Sequence, residues 1–111
     1  MLKLIGMLLV FLLLTACGQS EAEKAKSAAA MTEIRSQRMA REFVTGVLKD
    51  PGSAEFRDQR GFCGQVNSKN SFGGYVGFKR FIAASEEMVV FAGDDRMTSS
   101  DFEQAWSKFC R

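Results

Sequence analysis

"CGQVNSKNSFGGYVGFKRF", residues 63–81, is the stretch whose reading decides the fold. After its opening Cys-Gly pair it holds three more glycines, two asparagines and three basic side chains. Glycine-rich loops that cradle phosphate follow GxxxxGK[ST], or GxGxxG between a strand and a helix. Neither spacing occurs, and strand-like residues follow Gly73-Gly74. A helix N-terminus that would hold an anion is therefore not expected there. The stretch reads as a hairpin, "QV" and "YVGF" joined by a loop of about eight residues, since Asn and Gly tolerate positive φ. Gly64 and Gly77, isolated in the strands, suggest bulges or close approach of a helix backbone.

Around this hairpin the periodicity changes. Residues 75–84 are strand-like, with Val76, Phe78, Ile82 and Arg80 on one face and Tyr75, Phe81 and Lys79 on the other. Two short extended pieces precede it, near 54–57 and 62–66, and "MVVFA" at 88–92 follows. Upstream, residues 31–50 read as a helix. Ala40, Phe43, Val44, Val47 and Leu48 form one apolar stripe, and Asp50-Pro51-Gly52 stops it. Gly46 within it suggests that a strand packs close. Arg35, Arg38 and Arg41 lie off the stripe, as a solvated face does; a row contacting lipid headgroups is the second reading. Downstream, Ser100-Asp101-Phe102-Glu103 has the form of a capping box. Phe102, Ala105, Trp106, Phe109 and Cys110 then fall on one face of a last helix. The expected body is α+β: an N-terminal helix, three to four antiparallel strands and a C-terminal helix, with both helices on one sheet face.

The N-terminus carries the address. Lys3 precedes an apolar run from Leu4 to Leu14, about 11 residues, which suits a signal-peptide core and is short for a bilayer span. The run ends Leu14-Thr15-Ala16-Cys17. This resembles the lipobox of bacterial lipoproteins. The resemblance implies that residues 1–16 are a lipoprotein signal peptide and that Cys17 becomes the acylated first residue, anchored in the lipid bilayer. Gly18-Gln19 after the cysteine, with no aspartate, implies the outer membrane, periplasmic side. Residues 17–30, without a large apolar side chain, read as a tether or a fluctuating helix, and 31–111 as a single small domain.

That address bears on the remaining cysteines. An oxidising compartment favours a Cys63–Cys110 disulfide over a catalytic thiol or metal ligands, for the chain has no histidine and no CxxC. Closing a loop of about 48 residues contributes up to about 4 kcal/mol through the unfolded state. Without the signal the chain has 14 basic against 13 acidic side chains, which gives no basic excess for nucleic acid. Nine of the ten phenylalanines lie in residues 43–111, so the core lies there.

Chemistry is sparse. With no histidine, the commonest general base near neutral pH is missing. Glu86-Glu87 and Asp94-Asp95 are neighbours on turns, and the latter lacks the spacing of a calcium loop. No enzyme activity and no cofactor are expected. Residues 48–81 also resemble small bacterial envelope proteins of no assigned activity, which brings no catalytic residues. Asn67, Lys69, Asn70, Tyr75, Lys79 and Arg80 would gather near the hairpin, as a surface for an envelope protein or peptidoglycan. The function expected is a non-enzymatic binding module. The rival readings are a protective protein, such as a lysozyme inhibitor or a phage or plasmid exclusion lipoprotein, and an accessory factor in outer-membrane assembly.

Overall fold

A computed structural model describes residues 20–110. The expectations for residues 1–16 and for Cys17 lie outside them. In chain order the elements are helix α1 (Glu21–Thr45), a 3-10 turn (Pro51–Ser53), strands β1 (Glu55–Arg60), β2 (Cys63–Asn67), β3 (Lys79–Ala83) and β4 (Val89–Phe91), and helix α2 (Ser99–Phe109). The strands form one antiparallel sheet in the order β1-β2-β3-β4. The compact unit that carries the sheet spans Met31–Arg111, and residues 21–30 of α1 fall outside it.

α1 begins well before the expected start at residue 31. Ser20-Glu21-Ala22-Glu23 has capping-box spacing, and the Glu23 N–H donates to Ser20 Oγ at 3.3 Å. Ala, Glu and Lys then carry the helix on propensity alone. It stops at Thr45, earlier than expected. The Gly46 N–H closes the last turn on the Glu42 carbonyl at 3.1 Å. A Cβ on Gly46 would meet that helix's own carbonyls first, so no strand accounts for the glycine. Val47 is consequently exposed while Leu48 packs on the core.

The two helices take opposite faces of the sheet, where one shared face was expected. Ala40 and Val44 of α1 pack with Val66, Phe81, Ala83 and Val89. Phe102 of α2 and Cys110, just beyond its end, pack with Cys63, Ile82 and Val90. The register requires this division, because Cys63, Ile82 and Val90 are cross-strand partners one residue out of phase with Phe81 and Phe91. Phe81, Ile82 and Ala83 are buried in succession, so β3 needs cover on both faces. Gly64 lies opposite Phe81, and a Cβ there would come within 2.9 Å of the Phe81 ring. The ring of a neighbouring strand, not a helix backbone, is what approaches.

The expected Cys63–Cys110 disulfide is formed, joining Cα atoms 5.6 Å apart across a sequence separation of 47. Thr98, not Ser100, caps α2: the Asp101 N–H donates to Thr98 Oγ1 at 3.1 Å. Glu103 answers Arg80 instead of the cap. Phe102 is buried, but Phe109 stands 67% exposed, so the apolar face ends with Cys110 rather than Phe109. Polar side chains lace α1 to the β1 edge. Glu33 Oε1 accepts the Gly61 N–H at 2.7 Å, and Arg41 donates to Gln59 Oε1 at 2.7 Å. Arg41 is thus half-buried, while Arg35 and Arg38 are exposed. Asp58 takes positive φ where the β1–β2 register slips, as a bulge does.

Two outcomes follow for stability. Gly64→Ala drives a methyl into the Phe81 ring and lowers unfolding free energy by about 2 kcal/mol in a denaturant titration. The Gly61 N–H, with Gln37, holds the Glu33 carboxyl below its ordinary 4.5. Its folded value is depressed, so its contribution is full above 4.5 and is lost as pH falls through the lowered value. Glu33→Gln removes that acid-dependent portion, so wild type and variant converge in melting temperature below pH 4.5.

Candidate functional site

Between β2 and β3 the chain makes a loop of eleven residues, 68–78, longer than the expected eight because β3 begins only at Lys79. Gly77 at φ +94° breaks the strand pattern of 75–84. The asparagines build the loop. Asn70 Oδ1 accepts the N–H groups of Phe72 at 3.0 Å and Gly74 at 3.1 Å. The Asn70 backbone closes on Gly74 and Gly73, with Gly73 at φ +81°. Asn67 Oδ1 accepts the Gly77 N–H at 2.9 Å. These are Asx-type bonds, in which a short amide side chain takes the place of a turn carbonyl. A bridge between Lys69 and Tyr75, and a bond from the Val76 N–H to the Ser68 carbonyl, stitch the two limbs.

The 3-10 turn holds the loop from outside. The Lys69 N–H donates to Ser53 Oγ at 2.8 Å, and the Tyr75 hydroxyl donates to the Ser53 carbonyl at 3.3 Å. Desolvation first, and then the Glu55 and Asp50 carboxylates, push the Tyr75 phenol above its ordinary value and keep it a donor. Ser68, at the loop's root, is buried.

What the loop presents is Phe72, 96% exposed at its tip. Tyr75 and Val76 are half exposed beside it. The Lys69 ammonium lies 5.6 Å from the Tyr75 ring centre. Lys79, at the base, is exposed beside a small cleft of about 120 Å³ shared with Val66, Ser68 and Val76.

Of the six residues expected to gather here, the structure brings together Asn67, Lys69, Asn70 and Tyr75, with Lys79 at the base. Arg80 faces the other way. Its guanidinium pairs with both oxygens of Glu103 and lies 5.1 Å from the Phe102 and Trp106 ring centres. That pairing raises the Arg80 pKa and lowers that of Glu103. Arg80 therefore seats α2 rather than serving the loop. Phe72 was missed, although its setting was readable: an aromatic between Asn70 and Gly73-Gly74 sits in a turn that leaves it nothing to pack against.

The site offers an aromatic ring, a phenol, amides and amines, a set suited to contact. Among the described residues no group of three His, Cys, Asp or Glu side chains could hold a metal ion, and no helix is long and apolar enough to cross a membrane.

Asn70→Ala leaves the Phe72 and Gly74 N–H groups without their acceptor. Amide exchange at both positions then accelerates, by about tenfold for a bond worth roughly 1.4 kcal/mol, while β2 and β3 keep their protection.

The chain matches no family model, no curated protein and no solved structure, so the functional reading rests on its own residues.

Proposed function

We propose that this chain is a lipid-anchored, non-enzymatic binding module of the bacterial envelope, with the 67–79 loop as its contact surface and Phe72 as the anchor. One observation carries the contact surface: a fully exposed phenylalanine stands on a loop that its own asparagines and Ser53 hold in place. An aromatic fixed before contact loses little conformational freedom on binding; a few well-packed residues carry most of the energy at protein interfaces, and aromatic side chains, phenylalanine among them, are enriched there. Burying an exposed phenylalanine is worth about 1.5–3 kcal/mol. The lipobox-like Leu14-Thr15-Ala16-Cys17 supports the anchor, and the lack of histidine supports the non-enzymatic reading. Tyr75 and Lys69 widen the surface with a phenol and an ammonium that suit an acidic-rimmed apolar pocket on an envelope protein.

The test is a photo-reactive residue in place of Ser71, next to Phe72, in the full-length protein in its membrane. The expected result is a dominant protein adduct whose yield falls about tenfold or more when Phe72→Ala is added. An unchanged adduct yield in the Phe72→Ala protein sinks the assignment. The anchor is tested separately: Cys17→Ala is expected to release the protein from the membrane fraction.

A further inference from the structure

Where β1 gives way to β2, at the opposite end of β2 from the loop, β1 does not keep its alternation. Arg57 pairs with Gln65 and Arg60 with Cys63, so Asp58 and Gln59 together stand opposite Gly64 alone. Asp58 takes φ +53° there. Phe56 packs on the α1 core, so regular alternation would send Asp58 to that face and Gln59 to the other. The bulge exchanges them. The Gln59 side chain donates to the Gln37 carbonyl of α1 and accepts from Arg41, while Asp58 borders a cleft with Trp106 and Cys110 on the α2 face. Bulges that re-aim a side chain, and non-glycine residues at positive φ, collect at functional sites.

The cleft measures about 440 Å³, within the range of small-molecule sites. The Cys63–Cys110 disulfide lines it and ties α2 to the sheet, so its walls are joined covalently. Asp58 and Arg60 of β1, Gln65 of β2 and Trp106 of α2 line the rest. Trp106 is only half-buried. The Phe102 ring, stacked 6.0 Å away, and the Arg80 guanidinium, 5.1 Å away, set its orientation. The Asp58 side chain is 71% exposed, and the nearest Arg57 nitrogen is 3.8 Å away, beyond hydrogen-bond range, so its oxygens stay open as acceptors. Arg57 donates to Gln65 Oε1 at 2.9 Å, which leaves the Gln65 amide N–H groups to donate.

These groups select a ligand class. A carboxylate and a guanidinium stand in one cleft, so an ion of either sign meets a like charge. The charges nearby are engaged. Arg57 lies over the Phe78 ring, Arg80 pairs with Glu103, and Glu33, which feels Arg60, accepts from Gly61 and Gln37. The polar walls disfavour a wholly apolar ligand, whose arrival would strip them of water unpaired. What fits is a neutral molecule with hydroxyls round its edge and one apolar face for the indole. We propose that this cleft binds an uncharged sugar ring of a glycan, stacked on Trp106, with Asp58 accepting from its hydroxyls and Arg60 and Gln65 donating to its oxygens. The site lies apart from the loop and does not rest on the reading of Phe72.

Trp106 is the only tryptophan in the chain, so its fluorescence reports from the cleft itself. The test titrates full-length protein in detergent micelles with the trimer of N-acetylglucosamine, an uncharged glycan. The expected result is a saturable change in emission. Asp58→Asn keeps the side-chain shape and tolerates the same φ, and it weakens the apparent affinity about tenfold. Glu87→Gln, on the β3–β4 turn, leaves it unchanged. Sedimentation with insoluble peptidoglycan that the trimer reverses places the ring in the wall polymer; binding of the trimer alone places it in a soluble glycan. Unchanged emission overturns the proposal, because a ring on the indole displaces its water. Equal affinity in the Asp58→Asn protein overturns it too. So does a tighter response to L-phenylalanine, a zwitterion with an apolar face, than to the sugar.

Discussion

The Cys63–Cys110 disulfide ties the first residue of β2 to the residue that ends α2, and the α2 face of the sheet depends on it. α2 has eleven residues, a length at which a helix in water is marginal. It persists because its C-terminal end is bonded to the sheet, Phe102 is buried near its start, and Glu103 holds Arg80 across the middle. Ile82 and Val90 depend on that helix for cover. The Arg80–Glu103 pair is exposed and contributes little alone. Its value is positional, since the guanidinium also lies over two aromatic rings of α2.

The other face is held differently. α1 needs no covalent tie, because Ala40 and Val44 are wholly buried against β-strand side chains and a polar row reaches the β1 edge. Gly64 marks the closest approach within this layer, where the Phe81 ring occupies the space a side chain would take. A sheet clamped on both faces is a firm base. It supports both roots of the eleven-residue loop, with bonds to the 3-10 turn as a second support. The exposed Phe72 is therefore a property of the frame beneath it as much as of the loop.

Much of this was legible in the residues. The 63–81 hairpin, the strand at 88–92, the C-terminal helix and the cysteine pair follow from alternation, helical spacing and elimination among thiol roles. The early start of α1 was written in Ser20-Glu21-Ala22-Glu23, but the alanine-rich segment after it has no apolar stripe to announce a helix. The cap of α2 was misplaced by two residues because Thr98 and Ser100 both precede an acidic residue at workable spacing, and only backbone geometry chooses between them. The asparagines are legible as turn formers, but that their side-chain oxygens close the loop and leave Phe72 at its tip is decided by the backbone around them.

The sequence by itself determined the element types, their order and the pairing of the two body cysteines, because these depend on local periodicity and on which groups are present at all. Only the tertiary structure decided which sheet face each helix covers, that Arg80 belongs to α2 and not to the loop, and that Phe72 and Phe109 stay in water while Phe81 and Phe102 do not. The reason is physical. A residue type states what a side chain would prefer to touch, but register and the room left by neighbouring strands and helices settle which of nine similar phenylalanines finds a partner.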